Sequence, residues 1–74
     1  LSIQSELPSD LCIVPDEVMV RRRVLPAGTY CGRHEGPSFR IILTDEDARR
    51  FGYRRPALDV TELVEDGYVE WRPA

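Results

Sequence analysis

At 74 residues and 8.5 kDa the chain has room for one small domain with a thin core, since a fold of this size buries only about 60% of the surface its unfolded chain exposes. Its 42% hydrophobic content argues against wholesale disorder, and it has no apolar run near the ~18 residues of a membrane-spanning helix. The net charge of −3 excludes indiscriminate coating of DNA, yet it hides a basic middle block: residues 21–55 hold nine arginines against four acids, between two acidic flanks.

Residues 1–10 are polar around Pro8 and are expected to form an extended N-terminal lead-in to a single small α+β domain over residues 11–74. Leu11 to Val14 is a short apolar run that Pro15 closes. From Glu17 to Leu25 the pattern alternates, with Val18, Val20, Arg22 and Val24 on one side, and this predicts one continuous strand. Pro26-Ala27-Gly28-Thr29 reads as a turn that leads into a second strand over Thr29 to His34, the two strands making a β-hairpin. Gly36-Pro37 ends it, and the β-branched stretch Phe39 to Leu43 predicts a further strand.

Thr44-Asp45-Glu46-Asp47 then opens a helix over about residues 44–51. Thr44 can cap the free amides, the acids suit the positive end of the helix dipole, Arg49 and Arg50 suit the negative end, and Gly52 supplies a left-handed stop. After Pro56 the expectation is a closing hairpin, Leu58 to Val64 and Tyr68 to Arg72, turning at Asp66-Gly67. That register pairs Val64 with Val69 and Glu62 with Trp71. The predicted fold is therefore α+β: a small, mostly antiparallel sheet or barrel-like domain with one short helix.

The sequence offers little machinery for catalysis. It has no GxSxG, Walker loop, GxGxxG or HExxH pattern, one histidine and no lysine. Cys31 and His34 are the only thiol and imidazole close in sequence, and a spacing of three sends them to opposite faces of a strand. Cys12 and Cys31 are too few for a disulfide scaffold and are expected as free thiols. The paired acids fall at turns or at the helix start. No catalytic residue, metal ligand or cofactor is expected, and the chain is not expected to be an enzyme.

The arginines are more informative. Arg22 falls among the valines of its predicted strand and must snorkel or pair. Arginine forks fix carboxylates and phosphates, and nearby aromatics give flat apolar area, so Arg21, Arg23, Tyr30 and Trp71 are the expected binding surface for a ligand or partner. Arg49, Arg50, Arg54 and Arg55 form a second candidate set, suited to nucleic acid. The pair Tyr53-Arg54 would likewise suit stacking.

Two stretches resemble known families. Val14-Pro15-Asp16-Glu17-Val18, Leu25-Pro26-Ala27-Gly28-Thr29-Tyr30 and His34-Glu35-Gly36-Pro37 look like the hairpin of GyrI-like effector-binding domains, the ligand-binding modules of BmrR-type regulators. That resemblance implies binding of amphipathic or cationic small molecules. Here the strand between Tyr30 and His34 is one residue short, and a strand replaces the helix expected after Gly36-Pro37. Residues 41–73, with Ile41-Ile42-Leu43, the short helix ending Arg49-Arg50-Phe51-Gly52-Tyr53 and the Asp66-Gly67 turn, are similar to the AbrB/MazE swapped-hairpin family. That resemblance implies a homodimer that contacts DNA through basic loops, although the Gly-Asp expected after the helix is missing.

The leading expectation is a non-enzymatic binding module of a bacterial regulatory system, cytoplasmic, recognising a small amphipathic ligand or a protein partner and no membrane. The alternative is an AbrB/MazE-like homodimeric DNA-binding regulator or antitoxin. A third reading is a structural accessory domain that pairs through its sheet edges. The chain opens on Leu1, as a processed or trimmed piece of a longer protein would.

Overall fold

The computed structural model describes residues 9–74 and shows a small α+β fold with mostly antiparallel strands. Strands β1 (Asp10–Val14), β4 (Gly28–Glu35), β5 (Ser38–Ile42), β6 (Ala57–Asp59) and β7 (Glu70–Arg72) form an open five-stranded sheet in the order β6-β5-β4-β1-β7. Strands β2 (Val18–Val20) and β3 (Arg23–Leu25) form a separate hairpin, and helices α1 (Asp45–Phe51) and α2 (Thr61–Glu65) complete the molecule. Among the described residues no helix is long and apolar enough to cross a membrane. Of the expected lead-in, residues 1–8 lie outside the described residues, and Asp10 belongs to β1.

One face of the sheet carries the core. Cys12 and Val14 of β1, Ile41 of β5 and Leu58 of β6 pack against Val20 and Leu25 of the hairpin, Ala48 of α1, Tyr53, Val60 and Val69. The registers place Leu11, Cys31 and Ile42 together on the opposite face, where Leu11 and Ile42 are exposed. Cys12 and Cys31 therefore point to opposite sides of the sheet. Cys12 is buried, and loss of solvent pushes its thiol up to about 11, whereas Cys31 is exposed. Cys31 and His34 also lie on opposite faces, as their spacing requires, and His34 stacks on Phe39 at 4.1 Å.

Helix α1 forms as its signals require. The Thr44 hydroxyl accepts from the Asp47 amide at 3.0 Å, and Gly52 closes the helix at φ 88°. Elsewhere three expectations are corrected. The stretch from Glu17 to Leu25 is not one strand but the β2–β3 hairpin, with Val18 opposite Leu25 and Val20 opposite Arg23. Its two-residue turn is Arg21-Arg22, at φ 53° and 66°, the positive values that a type I′ turn needs. Two turn residues shift the parity of the alternation, so Val20 and Leu25 go inward while Met19 and Val24 stay exposed.

The second correction concerns β4. It pairs with β1 and β5, not with the preceding strand, because Pro26-Ala27 carry the chain from the hairpin layer back to the sheet and bring Gly28 opposite Val14. Third, the closing hairpin does not form. The Asp59 carboxylate accepts from the Thr61 amide at 2.9 Å and from the Thr61 hydroxyl at 2.6 Å, a local turn that stops β6 after three residues and starts α2. Asp66-Gly67 ends that second helix instead of turning a hairpin. Gly67 at φ 82° donates to the Val64 carbonyl, and Tyr68 donates to Leu63. Val64 and Val69 are thus not a strand pair, and Trp71 of β7 sits opposite Cys12 rather than Glu62.

Candidate anion-binding cleft

The two arginine clusters that the sequence keeps more than thirty positions apart line a single cleft. It measures about 520 Å³ and is walled by Arg21 and Arg23 of the β2–β3 hairpin and by Gly52, Tyr53, Arg54, Arg55, Ala57 and Leu58 of the segment between α1 and β6. Four guanidinium groups and no carboxylate belong to this wall. Among the described residues the ion pairs are Arg33–Glu35, Arg50–Asp47 and Arg72–Glu70, so none of the four cleft arginines is engaged in one.

Each side of the cleft is held by a specific contact. Tyr53 is buried, and its hydroxyl lies 3.1 Å from the carbonyl oxygens of both Val20 and Arg23, which ties the hairpin to the segment after α1. Burial raises the Tyr53 pKa, and the nearby Arg23 charge opposes the rise. Arg23 runs beside Gly52, where a β-carbon would meet its Cδ and Nε at 3.5 Å. Gly52 caps the C-terminus of α1, and the free carbonyls there carry the partial negative charge that favours a neighbouring cation. On the other side of Arg21 the cleft gives way to a second groove of about 580 Å³, bordered by Met19, Pro37, Ser38, Asp59, Val60 and Leu63 among others.

The expected binding set is therefore divided. Arg21 and Arg23 line the cleft, whereas Tyr30 and Trp71 do not. The Tyr30 hydroxyl donates to the Pro26 carbonyl at 2.6 Å, and burial raises its pKa, so it serves the packing of β4. Trp71 is half-buried across Gly32, meets Phe39 edge-on at 4.8 Å and donates its indole N–H to Asp10 at 2.9 Å. Its place at the β7 edge follows from pairing with β1, at the far side of the sheet from β6.

The nucleic-acid set divides as well. Arg54 and Arg55 join Arg21 and Arg23, while Arg49 and Arg50 stand on the last turn of α1, with Arg50 beside Asp47 at 3.8 Å and over the Phe51 ring at 5.7 Å. Gly52 and Tyr53 are the site residues that a search for charged groups passes over. Gly52 is legible locally as the stop of α1 and Tyr53 through its adjacency to Arg54; the approach of residues 21–23 to 52–58 is long-range and has no local signal. Among the described residues no three His, Cys, Asp or Glu side chains gather as a metal site would require. Comparison with known proteins adds no identity, since no family model, no curated protein and no solved structure matches the chain.

Proposed function

We propose that this chain is a binding module, and that its arginine cleft takes the anionic group of a small ligand or of a partner protein. The observation that carries the reading is the convergence of Arg21, Arg23, Arg54 and Arg55 on one cleft whose wall holds no acid. Like charges brought together repel, and an anion that accepts from several guanidinium forks relieves that repulsion while gaining charge-assisted hydrogen bonds. The left-handed backbone at Arg21 and Arg22 costs of order 1 kcal/mol per residue, and such strain is characteristic of ligand clamps. Tyr53, Ala57 and Leu58 supply the apolar floor that suits an amphipathic ligand.

NMR titration of the isotope-labelled chain with succinate and with inorganic pyrophosphate tests the reading. Saturable shifts of the Gly52, Tyr53 and Ala57 amides are expected at millimolar anion, weakened about tenfold or more in Arg54→Gln/Arg55→Gln, the loss of roughly one charged hydrogen bond or more. Shifts that persist unchanged in that variant overturn it. Duplex DNA that binds more tightly than either anion, and that loses affinity on Arg49→Gln/Arg50→Gln, overturns it in favour of the swapped-hairpin regulator reading.

A further inference from the structure

The arginine cleft borders an open sheet edge. Antiparallel pairing alternates, so that residues bonded to their neighbour strand are separated by residues whose N–H and C=O point the other way. Leu43 donates to the Pro56 carbonyl at 2.8 Å and Val60 donates to Phe39 at 2.8 Å. In the same register Leu58 faces Ile41, so Leu58 shares that orientation, and the N–H and C=O groups of Ala57 and Asp59 point away from β5. Strand β6 ends the sheet, and both Ala57 and Asp59 are exposed.

Two grooves run beside this edge, on the side covered by the β2–β3 hairpin. The arginine cleft reaches Ala57 and Leu58, and the second groove continues past Asp59 and Val60; Arg21 belongs to both. One end of the path is cationic. The other presents Met19, exposed to 60%, with Pro37 and Leu63, and also the acids Asp59, Glu62 and Glu65, so the carboxylates of an occupant belong at the cationic end.

We infer that β6 accepts an extended, acidic peptide segment of a partner protein as an added strand, its backbone on Ala57 and Asp59 and its carboxylates on the cleft arginines. The inference rests on the anion-binding reading above and names the ligand class for it. Strand addition draws affinity from main-chain hydrogen bonds and specificity from alternate side chains, and both halves of that recognition are in place here. Charge favours this occupant over a second copy of the chain. A second β6 would bring Asp59, whose carboxylate is already held by Thr61, and would leave the four arginines unmatched. A nucleic acid would match the arginines but has no use for an open strand edge.

The probe is a fluorescein-labelled peptide of about eight residues alternating Glu and Val, long enough at ~3.4 Å per residue to span β6 and reach the arginines. Its binding is measured by anisotropy against the wild-type chain, Ala57→Pro and Arg54→Gln/Arg55→Gln. The Ala57 N–H makes no bond to β5, so proline at an edge position leaves the β5–β6 ladder whole while removing one outward donor. The peptide is expected to bind about tenfold or more weakly to Ala57→Pro.

A second measurement leaves the protein untouched. Peptides N-methylated at every Glu, or at every Val, block opposite edges of the added strand, so one is expected to lose binding and the other to keep it. Equal binding of both methylated forms and the parent overturns strand addition. So does oligonucleotide binding that outcompetes the peptide and ignores Ala57→Pro, or a peptide-independent dimer, seen by light scattering, that Ala57→Pro dissociates. Loss of succinate and peptide binding together in Arg54→Gln/Arg55→Gln, with one methylated peptide failing on a wild-type chain that still takes succinate, separates the two layers of the proposal.

Discussion

The Tyr53 hydroxyl donates to the Val20 carbonyl across 3.1 Å, joining the segment that follows α1 to a hairpin 33 residues earlier in the chain. The Arg23 carbonyl lies at the same distance, so the single phenolic proton serves both ends of the Arg21-Arg22 turn. This contact sets the width of the cleft, because Arg21 and Arg23 stand on one side of it and Arg54 and Arg55 follow directly on the other.

Tyr53→Phe keeps the ring in the core and deletes that tie. The expected loss is about 1 to 2 kcal/mol, from the one hydroxyl donor that the two carbonyls share. There is also an alkaline signature. A tyrosine whose folded pKa is raised by burial contributes stability that is present below its unfolded value and is lost as pH rises through the folded one. Urea unfolding is therefore expected to show wild-type stability declining above about pH 10, with a shallower decline in Tyr53→Phe and the remainder due to Tyr30, which is raised in the same direction. A variant as stable as the wild type would show that the hairpin is held by its valines alone.

Gly32 and Trp71 make a tighter pair. A β-carbon at residue 32 would stand 2.8 Å from Trp71 Cζ2 and 3.0 Å from Cζ3, and nearer still to Cη2. Gly32→Ala must push the indole from Phe39 and from Asp10, at an expected cost of about 1 to 3 kcal/mol. In a Trp71→Leu background the same substitution meets a shorter side chain and is expected to cost less. A double-mutant cycle by thermal or urea unfolding reads the difference as a coupling of about 0.5 kcal/mol or more. Additive losses would mean that Gly32 is required by its own backbone and not by the indole above it.

Which parts of this architecture could be read from one sequence depended on whether the signal was local. Helix α1 is legible because Thr44, the three acids, Arg49, Arg50 and Gly52 act within its own turns. Strand β5 and the α+β class follow from short-range patterning in the same way. The Arg21-Arg22 turn was hidden because positive φ ordinarily calls for Asn or Gly, and two arginines in mid-alternation look like strand. Asp66-Gly67 carries a real signal with two readings, and long-range pairing of β7 with β1 decided for the helix stop. The same limit applied to the cleft. The arginines are legible individually, but only the packing of the β2–β3 hairpin over the β6 end of the sheet divides Arg21 and Arg23 from Tyr30 and Trp71 and joins them to Arg54 and Arg55.

Asp10 links the acid stability of the fold to its last strand. One carboxylate oxygen accepts from the Ala74 amide and the other from the Trp71 indole, each at 2.9 Å, and these bonds, that from Ala74 foremost, hold its pKa below the usual aspartate value. Both partners lie more than sixty positions away, so the unfolded chain lacks them. A depressed folded pKa contributes stability that is present above the unfolded value and is lost as pH falls through the folded one. Wild-type stability is thus expected to fall as the medium is acidified below about pH 4. Asp10→Asn retains one acceptor and cannot titrate, so it is expected to be less stable than wild type at neutral pH and flatter across the acid range. Unfolding midpoints in urea from pH 7 down through the aspartate range, followed by Trp71 fluorescence, measure both curves. If the two fall in parallel, the acid dependence comes from elsewhere, and Asp59, lowered by the hydroxyl and amide of Thr61, becomes the group to substitute next.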